Sequence, residues 1–131
     1  MDDLYREHIL EHYRHPRNYG ELDTATITRH EHNPLCGDQL TLYLDIKDDM
    51  INQVHFKGKG CAISQAAASM LTEELEGKSV EFAKQLDKQF VLDLLGIPIG
   101  PVRLKCALLS LKTLKAGLYG IDNYEEEDDE L

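Results

Sequence analysis

Between Leu40 and Leu71 the apolar residues change their spacing, and that change dictates most of what the chain can become. Leu40, Leu42, Leu44 and Ile46 alternate with Thr41, Tyr43 and Asp45, the period of two that gives a strand one core face. Ile51, Val54 and Phe56 supply an antiparallel partner, joined through an Asp48-Asp49 turn. After Gly58 and Gly60 the run from Ala62 to Leu71 is rich in strong helix formers, with side chains small enough to pack closely on a sheet, and the pattern ends before Gly77. On the N-terminal side, Leu4, Tyr5, Ile9 and Tyr13 mark an amphipathic helix from Asp2 to His15 that Pro16 stops, and Ala25 to Glu31 reads as a weak strand. On the C-terminal side, short helical patterns occupy Ser79 to Leu86 and Asp87 to Leu95. Pro98 and Pro101 then break the chain, and a last helix from Val102 to Tyr119 carries Leu104, Leu108, Leu111, Leu114 and Leu118 on one stripe. Strands first and helices afterwards predict an α+β domain: a small antiparallel sheet of about three strands with helices packed on one face.

A chain of 131 residues accommodates one core, so a single domain is expected over residues 1–122. The remaining residues, 123–131, hold six consecutive acids, Glu125 through Glu130, whose mutual repulsion predicts a disordered acidic tail. That run accounts for most of the net charge of −10 and fits a solubilising role or the steering of a basic partner. No basic stripe is present to neutralise phosphates, which argues against nucleic acid binding. The uncharged, mainly apolar stretches Leu94 to Val102, with nine residues, and Gly60 to Thr72, with 13, both fall short of the roughly 18 needed to cross a bilayer. An odd number of cysteines and no apolar signal segment at the start lead to the expectation of reduced thiols and a cytoplasmic location.

The three cysteines stand far apart, Cys61 lying 25 positions after Cys36 and Cys106 another 45 on, so zinc-finger and thioredoxin spacings are absent. A lone cysteine is more often core filler than ligand, and only local context separates the two. Cys36 sits in Asn33-Pro34-Leu35-Cys36-Gly37-Asp38, a turn composition in which Asp38 can face the same point as the thiol. Cys61 opens the Ala-rich helix, a position that favours reactivity, and shares a helical side with Gln65, Ala68 and Thr72, away from Ile63 and Met70. Cys106 is out of phase with the leucine stripe of the last helix, on a face that also carries Val102, Leu109 and Thr113 and so allows partial burial, beside Arg103 and Lys105. Should the loop, the helix start and the last helix converge, Cys36, Asp38, Cys61 and Cys106 make a donor set suited to tetrahedral zinc or iron.

Two rival constellations are weaker. His8, His12 and His15 follow helical spacing but have no carboxylate partners in sequence, so a polar helix flank is the better reading; His30 and His32 fit a solvated strand edge. Gly58-Lys59-Gly60 lacks the remaining residues of a phosphate-binding loop.

The segments Asn33-Pro34-Leu35-Cys36-Gly37-Asp38, Gly58-Lys59-Gly60-Cys61-Ala62-Ile63-Ser64 and Arg103-Leu104-Lys105-Cys106-Ala107 together resemble the three cysteine motifs of the U-type iron–sulfur cluster assembly proteins: IscU, SufU and the N-terminal domain of NifU. Leu4-Tyr5, His12-Tyr13, Pro16-Arg17-Asn18 and Gly20 are similar to that family's opening stretch. The resemblance implies a small α+β fold and a metal or cluster site made of Cys36, Asp38, Cys61 and Cys106. It also implies a pyridoxal-phosphate cysteine desulfurase of the SufS or IscS type as sulfur donor, with downstream cluster carriers or apo-proteins as recipients. SufU-like members have Lys before the third Cys and hold Zn2+, whereas IscU-like members have His there and assemble a transient [2Fe–2S] cluster from Fe2+ and sulfide. Lys105 resembles the former, although the 45-position gap lacks the insertion usual in SufU and Pro101-Val102-Arg103 is similar to an IscU chaperone-binding motif. Under the SufU-like reading the chain is a zinc-dependent sulfurtransferase partner, with Cys36 as sulfur acceptor and Lys105 and Arg103 attracting the incoming persulfide; otherwise it is a non-enzymatic scaffold.

Overall fold

A computed structural model of the chain describes residues 2–34 and 37–120, with side chains from Glu7 onward. The elements run α1 (Asp2–Arg14), β1 (Ile27–Asn33), β2 (Asp38–Lys47), β3 (Met50–Lys59), α2 (Ala62–Leu75), α3 (Val80–Lys84), α4 (Lys88–Leu95), α5 (Pro101–Ala107) and α6 (Leu109–Tyr119). The strands form one antiparallel meander in the order β1-β2-β3, as the alternating pattern predicts. Leu42 pairs with Phe56 and Leu44 with Val54, so the period-two leucines line one sheet face, and α2 and α6 cover it. The expected tail, residues 123–131, lies outside the described residues.

The β2–β3 hairpin closes through Asp48 and Asp49, both with positive φ (52° and 63°), the backbone that a two-residue turn of right twist demands. The outer edge of β3 is not left open. Asn18 carbonyl accepts the Phe56 N–H at 2.9 Å and the Gly20 N–H reaches Phe56 carbonyl at 2.8 Å, while the Gly77–Lys78 backbone bonds both groups of Ile51 farther along. Covering an edge in this way removes a template for pairing with other chains.

Three expectations change. Helix α1 buries Ile9 and His12 rather than Tyr13, which is 43% exposed, because Ser69 of α2 offers His12 Nδ1 a partner 2.8 Å away; Leu4 and Tyr5 fall outside the described side chains. The side of α2 that carries Gln65, Ala68 and Thr72 is buried as well as the sheet side, since α1 and the segment after it lie on it. This central position explains the small residues: a helix apolar or tightly packed all round has neighbours on every side. Finally, the last helix is two helices, α5 and α6, divided at Leu108 (φ −98°, ψ 3°). Because α5 packs on α2 separately from α6, Cys106 is buried, at 2% exposure, and not merely at a flank.

Candidate metal centre

Asp38 opens β2, paired with Asn33 at the end of β1, and is only 2% exposed. A buried carboxylate requires partners, and both oxygens find them on Cys61. The Cys61 N–H donates to Oδ1 at 3.1 Å and its Sγ lies 3.3 Å from Oδ2. The approach depends on Gly60, whose φ of +152° disfavours a side chain and whose added Cβ would collide with the Asp38 carboxylate. Gly58 has a related duty, for a Cβ there would stand 2.6 Å from the Gln39 carbonyl oxygen of the neighbouring strand. Both glycines of Gly58-Lys59-Gly60 thus serve backbone approach to the site rather than phosphate binding.

Cys61 is the N-cap residue of α2. Its carbonyl accepts from the Gln65 N–H at 3.2 Å and from Ser64 Oγ at 3.2 Å, while its side chain makes no capping bond and is directed at Asp38. Cys106 comes from the buried side of α5. One donor atom from each of Asp38, Cys61 and Cys106 lies within 4.8 Å of the others, and among the described residues this is the only such group of three. Tetrahedral zinc with Zn–S near 2.3 Å separates its sulfurs by roughly 3.8 Å, so a contraction of about 1 Å closes the three around an ion. Two soft sulfurs and one carboxylate oxygen fit zinc or iron better than magnesium or calcium.

Cys36 lies outside the described residues. The chain on its two sides is fixed, however: the Gly37 N–H donates to Asn33 carbonyl at 2.7 Å, and Gly37 has the positive φ (77°) expected of that loop. Arg103 and Lys105 are exposed on α5, three positions and one position before buried Cys106. The histidines of α1 do not form a metal group. His12 is taken up by Ser69 and lies 3.8 Å from Glu73, His8 meets it edge-on at 5.1 Å between ring centres, and His15 is exposed. His30 and His32 are exposed on β1, as expected.

Sequence reasoning missed the part of Gly60, although a glycine directly before a candidate ligand was the available signal. It also missed Ser64, buried beside Cys61, for which no periodicity distinguishes a site-facing hydroxyl from a core one.

Comparison with known proteins points to one family. The family model described as the NifU-like N terminal domain matches residues 4–130. The zinc-dependent sulfurtransferase SufU of Bacillus subtilis is 36% identical over 135 residues, covering 90% of this chain and 91% of that protein. The iron–sulfur cluster assembly scaffold protein IscU of Thermotoga maritima is 34% identical over 131 residues, covering 88% and 92%. Among solved structures, a putative iron–sulfur cluster assembly scaffold protein for the SUF system from Fervidobacterium islandicum superimposes with a TM-score of 0.72 at 30% identity, covering 86% of this chain and 94% of that one. No helix among the described residues is long and apolar enough to cross a membrane.

Proposed function

The chain belongs to the NifU-like N-terminal domain family, and from that premise we propose that it accepts persulfide sulfur from a cysteine desulfurase, for iron–sulfur cluster assembly, at a zinc-holding site of Cys36, Asp38, Cys61 and Cys106. The observation that carries the reading is the convergence of Asp38, Cys61 and Cys106 within 4.8 Å from three separate elements. When bound, zinc keeps the thiolates deprotonated and gathered.

The chain's own residues divide the work. Cys36, in the β1–β2 loop two residues before Asp38, is the acceptor: its thiolate attacks the outer sulfur of the desulfurase persulfide, a new S–S bond forms as the donor's S–S bond breaks, and the donor cysteine departs as a thiolate. Asp38 is the exchangeable ligand, since its carboxylate keeps the Cys61 N–H as a partner when it lets go of the ion. Arg103 and Lys105, exposed beside Cys106, supply positive charge to the incoming persulfide anion. The relationship to the Bacillus protein supports this assignment.

A second reading, supported by the carboxylate in the donor set and by the IscU relatives, takes a [2Fe–2S] cluster as cargo, built on the same four residues and passed to carriers or apo-proteins. Anaerobic native mass spectrometry after incubation with desulfurase, cysteine and ferrous iron separates the two. Sulfur transfer predicts a zinc-bound species that gains sulfur, and Cys36→Ala abolishes the gain; uptake by Cys36→Ala at the wild-type rate contradicts the acceptor assignment. A two-iron, two-sulfide adduct in place of zinc establishes the scaffold reading instead.

A further inference from the structure

Cys61 and Cys106 are a pair of thiols with unequal access. Their sulfurs lie within 4.8 Å of each other, yet Cys61 is half-buried at the start of α2 while Cys106, near the end of α5, is 2% exposed. A disulfide brings two sulfurs to about 2.0 Å, so bonding this pair takes a movement of about 3 Å at most. Both ends permit it. The Cys61 side chain makes no capping bond and is held through Asp38 Oδ2 at 3.3 Å. Helix α5 buries only Cys106 and Ala107 of its seven residues and is divided from α6 at Leu108. The chemistry of the cargo gives such a pair a use. Sulfur that arrives as a persulfide is at oxidation level zero, whereas cluster sulfur is sulfide, two electrons lower, and two thiols that become a disulfide release two electrons.

We propose that Cys61 and Cys106 are a resolving dithiol that reduces the accepted sulfur to sulfide inside this chain, an activity that rests on the acceptance of persulfide sulfur at Cys36 and goes beyond it. The Cys61 thiolate attacks the outer sulfur of the Cys36 persulfide; a new S–S bond forms as that of Cys36 breaks, and Cys36 leaves as a thiolate. The Cys106 thiolate then attacks Cys61 Sγ. The Cys61–Cys106 disulfide forms, the bond to the outer sulfur breaks, and that sulfur takes the electron pair, keeps the persulfide proton and departs as hydrosulfide. The order of the two cysteines follows from burial: Cys61 is open enough to meet incoming sulfur, whereas Cys106 is shielded from a partner protein and acts only within the chain. A dithiol reductant returns the pair to thiols. With both thiolates bound to zinc neither attack proceeds, so occupancy of the metal centre decides whether sulfur leaves as persulfide or as sulfide.

The test loads the full zinc-bound chain anaerobically with desulfurase and cysteine, removes both, and then adds EDTA. Sulfide is trapped with monobromobimane, and disulfides are mapped by peptide mass spectrometry. Chelation should release sulfide with one Cys61–Cys106 disulfide for each sulfide, at a rate independent of protein concentration. Cys106→Ser should release at least about tenfold less sulfide for each sulfur loaded. Sulfur that stays as persulfide in the chelated native chain overturns the proposal. So does sulfide release that leaves Cys36 in the disulfide, or that leaves disulfides between two copies of the chain. A native chain that gains no sulfur in the loading step contradicts sulfur acceptance itself, and the proposal with it, a failure distinguished by coming before chelation.

Discussion

Asp38 and His12 are buried ionisable side chains that each tie two elements of this molecule together. Asp38 spends both oxygens on Cys61, so the carboxylate ties the start of β2 to the start of α2 before any ion is involved. His12 ties α1 to α2 through Ser69 Oγ, which also accepts the Arg17 backbone N–H at 2.9 Å. Burial lowers the pKa of His12, and the nearby Arg17 acts in the same sense, with Glu73 opposing more weakly. Such a histidine binds protons more readily in the unfolded chain. Its contribution to stability is therefore complete above about pH 6.5 and is lost as the pH falls below that value. Urea unfolding between about pH 7.5 and pH 5 should show stability falling more steeply with acidification for the native chain than for His12→Gln, by at most about 1.4 kcal/mol per pH unit. Equal slopes would show that His12 carries no proton linkage. The ligands themselves were legible from residue context, Cys61 at a helix start and Asp38 two positions after a turn cysteine. His12 was not, because a histidine among His8 and His15 on a polar-looking helix gives no sign that a serine 57 positions away will bury it.

At the scale of elements, the hairpin and the helix break behave differently with respect to sequence. The turn at Asp48-Asp49 follows from alternation on both sides of it, and its register follows in turn. Asp tolerates positive φ better than most residues but not without cost. Asp49→Gly should stabilise the domain by about 0.5–1 kcal/mol, read as a raised urea midpoint with unchanged slope. The Asp49 carbonyl still accepts the Val80 N–H in that variant, since only the side chain is lost. A lowered midpoint would mean that the turn is not held as described. The division at Leu108 has no comparable signal: neither proline nor glycine marks it, and its leucine stripe continues across it. The break accompanies a change of partners, α5 packing on α2 and α6 packing on β1 and β2 as well as on α2, and tertiary contacts of that kind override local periodicity. Cys106 is for that reason more deeply buried than its place off the leucine stripe implies.

For the whole molecule, the fold class and the meander follow from where the period of two ends, and the site follows from where the meander and the helices meet. β2 begins, α2 begins and α5 ends at one corner, which is how residues 23 and 45 positions apart in sequence become neighbours. The convergence was an inference from cysteine context and family motifs until the topology placed three of the four donors together. Zinc K-edge absorption spectroscopy of the zinc-loaded chain tests the claim most directly. The account predicts a first shell of three sulfurs near 2.3 Å and one oxygen near 2.0 Å, with one sulfur lost in Cys36→Ala. A shell dominated by imidazole nitrogen, or a sulfur count unchanged by Cys36→Ala, would contradict it.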